Sequence, residues 1–103
     1  MLLSHAVLLA ETRSYLAALA DNAATFDAAM EYERILLQLD WLHRDVSGGV
    51  VPPITVVPAT DPNTLYAVAV AAISSLAGHG LDQLELEICL AMLEAARDQD
   101  TQA

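Results

Sequence analysis

Between Asn22 and Val46 the apolar residues fall into two rows. At about 100° per residue on a helix, Ala28, Tyr32, Ile35, Leu36, Leu39, Leu42 and Val46 share a broad face. Phe26, Met30, Leu37 and Trp41 form a second, narrower row at i, i+4, i+11 and i+15. Asp27, Glu31, Gln38 and Asp45 separate the rows on one side, and Glu33, Asp40 and Arg44 on the other. A helix with two apolar faces needs two partners. One is the rest of its own chain. The second row, which holds the only Phe and the only Trp, predicts association with a second subunit or another protein.

The same periodicity predicts a first helix over residues 2–20. Leu2, His5, Leu8, Leu9, Thr12, Tyr15, Leu16 and Leu19 share one face, and Ala6, Ala10, Arg13, Ser14, Ala17 and Ala18 lie opposite. Asp21 and Asn22 suit a helix N-cap, so the second helix is expected over 23–46, folded back as an αα-hairpin, with an unbroken helix through Ala23-Ala24 as the alternative. Ser47-Gly48-Gly49 stops it. The stretch that follows, VVPPITVVPAT, is β-branched and broken by Pro52, Pro53 and Pro58, which predicts an extended arm over 48–60. Fully extended, residues 46–60 span ~50 Å, against ~36 Å for the second helix, so the third helix is free to start at either end of the bundle. Thr55–Val57 has the alternative of pairing as a strand with its own copy.

Asp61 and Pro62 open a third helix over 62–77, with a small-residue face of Ala67, Ala71, Ser74 and Ser75. Asp82 and Glu85 resemble a capping box, with Leu81 and Leu86 at the positions of a hydrophobic staple, and start a fourth helix over 83–97. Its expected buried side is Leu86, Cys89, Leu90 and Leu93 with Ile88 and Met92, and 98–103 is expected to be a frayed tail. The fold class is a single all-α domain over 1–103. Four helices, as two αα-hairpins joined by the Pro-rich arm, make a small bundle expected to be dimeric.

Composition narrows the partners. The 103-residue chain has a formal net charge of -10 and four basic residues. That sign repels nucleic-acid phosphates and anionic membranes, so neither is an expected partner, and a protein with a basic surface or rim is. The hydrophobic fraction of 55% exceeds the ~45–50% usual for soluble domains, but much of it is Ala. Its longest uncharged run, from Pro62 to Gly78, falls short of the ~20 apolar residues of a membrane span. The N-terminus lacks the positive start of an export signal, and Cys89 is the single cysteine, so a reducing, cytoplasmic setting is expected.

Catalytic motifs are sparse. Asp40-x-x-His43 has carboxylate–imidazole spacing, but a di-iron bundle repeats such a pair on a second helix. His79-x-x-Asp82 crosses a glycine turn and a cap. Asp40 and His43 therefore read as polar edges of the second helix. His5 does not align with Glu11, Ser74-Ser75 lacks a base, and Cys89 lies beside Glu85 and Glu87 where a reactive thiolate needs cations. Neither glycine pair fits a phosphate loop. No enzyme activity, cofactor or metal site is expected. No stretch resembles a known family closely enough to carry residues over.

The candidate partner-binding residues are Phe26, Met30, Leu37 and Trp41, flanked by Asp27, Glu31, Glu33 and Asp40. They point to a non-enzymatic, acidic helical interaction protein that homodimerises and binds a protein partner. One alternative is an acidic decoy that mimics nucleic-acid phosphates through Glu87 and Glu94. Another is a small-ligand-binding bundle with the Trp41 row lining the pocket.

Overall fold

The computed structural model describes residues 3–44, 54–57, 61–79 and 81–101. They form helices α1 (Leu3–Asp21), α2 (Phe26–Leu42), α3 (Pro62–Leu76) and α4 (Gln83–Thr101), with a 3-10 turn at Ala77–His79. Among the described residues there is no strand, and no helix is long and apolar enough to cross a membrane.

Caps set these limits. The Asp61 carboxylate accepts from Thr64 N (3.2 Å) with Pro62 in the first turn. Asp82 accepts from Leu84 N at 2.9 Å and from Glu85 N at 3.4 Å, with Leu86 buried and Leu81 packed on the core, as a staple requires. The α2 cap departs from expectation. Asn22 closes α1, its side-chain amide donating to Ala18 O at 2.8 Å. Thr25 is the N-cap instead, its hydroxyl accepting from Ala28 N at 3.1 Å. At the other end α2 gives way at His43, before the expected limit of 46, and 45–46 lie outside the described residues.

α1 packs against α2 and α3, and α4 packs against the same two, so the helices close into a ring with α1 and α4 on one diagonal. Their directions follow from side-chain meetings. His5 faces His43, and Arg13 pairs with Asp40, so α1 and α2 are antiparallel. Ala24 N donates to Asp100, and Gln38 meets Glu85, so α2 and α4 are antiparallel. Arg97 meets Asn63 and covers Tyr66 at the start of α3. α2 and α3 therefore run the same way, and the chain between them must return the length of the bundle. Of this connection, residues 54–57 are described and are not helical. Thr55 N donates to Ser14 Oγ at 3.0 Å, and Val57 packs on the core. The rest of the 48–60 stretch lies outside the described residues.

The core takes Leu16 and Leu19 from α1, Tyr32, Ile35 and Leu39 from α2, Leu65, Ile73 and Leu76 from α3, and Leu86, Cys89 and Leu93 from α4. Four expectations are corrected by this packing. Arg13 and Ser14 are buried because α2 and the 54–57 segment cover them. Ala67, Ala71, Ser74 and Ser75 face outward, and the small residues that α3 buries are Ala69 and Ala72. Ile88 is exposed with Leu84, one turn apart on the outer side of α4. α4 continues to Thr101, beyond the expected 97, held where Asp100 accepts from Ala24 N at 2.7 Å.

Candidate functional site

The buried residues of α2, Ala28, Tyr32, Ile35 and Leu39, all point one way. Phe26, Met30, Leu37 and Trp41 project from the opposite side and keep 76%, 44%, 68% and 59% of their surfaces exposed. The two rows lie about 180° apart on the helix, so no packing within the ring can bury both. A row of four large apolar side chains is the kind of exposed patch that marks an association surface. It is convex along most of its length. Of its members, Leu37 borders an open groove of about 260 Å³, lined also by Ala17, Ala20, Asp21, Glu33, Leu36 and Ile54. A second open groove of about 320 Å³ lies where residues 54–57 meet Ser14, Ala17, Ala18, Asp21 and Asn22.

The charged flanks are more mixed than their acidity suggests. Asp27 and Glu33 are exposed. Glu31 pairs with Arg34 at 3.2 Å, and Arg34 remains mostly exposed. Arg44 lies over the Trp41 ring, 3.7 Å from its centroid, and donates to Trp41 O at 2.9 Å. Asp40 is taken up inside the chain: Arg13 donates to it through Nε at 2.9 Å and through a terminal nitrogen at 3.1 Å. This two-pronged pair is largely shielded, with side-chain exposures of 11% and 23%, and ties α1 to α2. Of the eight expected partner residues, the four apolar ones, Asp27 and Glu33 lie open to an incoming surface. Glu31 is half-buried, and Asp40 serves the fold.

His43 also departs from expectation. It is fully buried at the end of α2 and is no polar edge of the helix. Its Nδ1 carries the proton donated to Leu39 O at 2.7 Å, since a carbonyl only accepts. The His5 ring meets it edge-on with centroids 5.1 Å apart. Burial holds its pKa below the usual imidazole range, against smaller opposing effects of the Leu39 hydrogen bond and the Asp40 charge. Among the described residues no group of three or more His, Cys, Asp or Glu side chains is placed to hold a metal ion.

Two further buried groups are shifted away from reactivity. Burial, with the Glu85 charge adding to it, pushes the Cys89 thiol up to about 11, so it stays protonated at neutral pH. Burial and the neighbouring Asp100 carboxylate raise the Tyr32 phenol to about 12. Both sit in the core and serve packing.

Sequence reasoning missed Arg34 as the cation beside the row and missed the Leu84/Ile88 pair. Helical angles hold the signal for both: Arg34 falls next to Met30 and Leu37, and Leu84 and Ile88 fall away from Leu86 and Leu93. Comparison with protein-family models, curated proteins and solved structures found no match to the chain.

Proposed function

We propose that this chain is a non-enzymatic, acidic interaction protein that homodimerises through the outer face of α2 and then presents acidic surface to a protein partner. The exposure of Phe26, Met30, Leu37 and Trp41 on the side of α2 opposite the core carries this reading. Apolar side chains of this size drive association by leaving water, and aromatic anchors such as Trp41 dominate the energetics of interfaces. The convex shape of the row favours a macromolecular surface over a small ligand, which needs a concave site.

With the row occupied by a second copy, acidic groups elsewhere meet the partner. Glu87, Glu94 and Asp98 lie exposed on α4, and the net charge of -10 per chain favours a basic or basic-rimmed surface.

Sedimentation equilibrium tests the first step. The wild type should give twice the chain mass at tens of micromolar, and Trp41→Glu should give a monomer. Because Trp41 is 59% exposed, this variant should keep the helical circular dichroism and melting temperature of an isolated chain. A wild type that stays monomeric into the high micromolar range would sink the reading.

A further inference from the structure

The apolar row leaves the direction of pairing open. Its spacing is symmetric about the midpoint between Glu33 and Arg34: Phe26 and Trp41 lie equally far from it, as do Met30 and Leu37. In a parallel pair each row residue meets its own copy. In an antiparallel pair Phe26 meets Trp41 and Met30 meets Leu37. Both cover the row.

The charges at that midpoint decide between them. Glu33 and Arg34 are exposed and project about 50° to either side of the row axis, at heights within about 1.5 Å of each other. A two-fold axis parallel to α2 exchanges the flanks, so at the midpoint Glu33 of one copy meets Arg34 of the other. A two-fold axis perpendicular to α2 keeps each flank against itself, setting Glu33 against Glu33 and Arg34 against Arg34. Like charges directly opposed are unfavourable and opposite ones favourable. The same pattern selects the occupant. A wholly basic partner would meet Arg34 in the middle of the row, and Asp40, which would favour such a partner, is held by Arg13. A second copy matches both signs at once.

We infer that two copies associate side by side and in parallel through α2, with each Glu33 meeting Arg34 of the partner subunit across the Met30–Leu37 centre of the row. The inference rests on the proposed homodimer and adds its geometry. The intrachain pair of Glu31 and Arg34 leaves Arg34 63% exposed, so its guanidinium remains open to the partner's Glu33. The contact involves one corner helix of each ring, and α1 and α4 fall away on either side. It is a small interface, and the dimer should be concentration-dependent.

Cysteine cross-linking separates the arrangements. Met30→Cys and Leu37→Cys are prepared separately in the full chain and oxidised alone and as a mixture. Native Cys89 is buried, so the wild type supplies the uncross-linked control. Each variant alone should form a disulfide-linked dimer in high yield. Cross-linking only in the mixture, as a Met30→Cys/Leu37→Cys heterodimer, would overturn the parallel arrangement and leave the homodimer standing. A native dimer by sedimentation that cross-links in none of these samples would place the contact on another face and overturn both. A native monomer would remove the homodimer itself. Charge exchange gives a second readout. Glu33→Arg should weaken dimerisation several-fold, and adding Arg34→Glu to it should restore the wild-type constant. Failure of the double exchange to recover what the single change lost would count against the Glu33–Arg34 contact.

Discussion

His43 shows how one position carries more of the fold than its spacing suggests. Deleting a surface imidazole would cost little, but His43 is enclosed and hydrogen-bonded to Leu39 O. His43→Ala should therefore destabilise the chain by about 2–3 kcal/mol, as cavity-forming substitutions do. A loss below about 0.5 kcal/mol in urea unfolding would show that the site is not enclosed. The pH dependence has a defined sign. The folded pKa is lowered below the ordinary imidazole value of 6.5 by burial, so between the two pKa values the unfolded chain binds more protons. Stability from this group is complete above about pH 6.5 and is lost as pH falls through the window toward the folded pKa. His43→Gln should flatten that slope, and an unchanged slope would assign it to other groups. Beside it, Arg13 and Asp40 form a shielded ion pair whose rupture leaves one charge desolvated. This pair fixes the register of α1 on α2.

At the scale of elements, the start of α2 tests which cap holds the hairpin. Thr25→Ala should cost about 1 kcal/mol, because Thr25 satisfies Ala28 N. Asn22→Ala should cost a few tenths, because its bond to Ala18 O lies in water. The reverse order in thermal melts would restore a helix beginning at residue 23. Sequence carried the caps at Asp61 and Asp82 because each stands beside a second signal, Pro62 in one case and Glu85 with the Leu81/Leu86 staple in the other. Near α2, Asn22 and Thr25 are both able to cap a helix, Asn being the stronger by preference, and only tertiary placement chose between them. The two-faced pattern of α2 was legible because its apolar rows lie on opposite sides of the helix. The small-residue face of α3 was not, since Ala and Ser are compatible with either a helix contact or water, and packing put Ala67 and Ser74 outside. Arg13 and Asp40 were beyond reach for a different reason: their 27-residue separation carries no periodic signal.

For the whole molecule, the proposed association must overcome the chain's own charge. Each chain carries -10, so a dimer brings -10 against -10 across a molecule measuring only 38 × 28 × 20 Å. Raising salt from about 0.05 to 0.5 M shortens the screening length from roughly 14 Å to roughly 4 Å. In the proposed dimer, the two Glu33–Arg34 contacts would be close and attractive, while the remaining acidic groups would repel over longer distances. Screening removes the long-range repulsion more than it weakens adjacent pairs. Dimerisation should thus tighten with sodium chloride. Binding to a basic partner should weaken, mainly through slower association. Opposite salt responses of the two equilibria, measured by sedimentation for the dimer and by surface-immobilised kinetics for the partner complex, separate the apolar α2 contact from acidic recognition. A dimer that dissociates as salt rises would mean that charge attraction, and not the Trp41 row, holds the copies together.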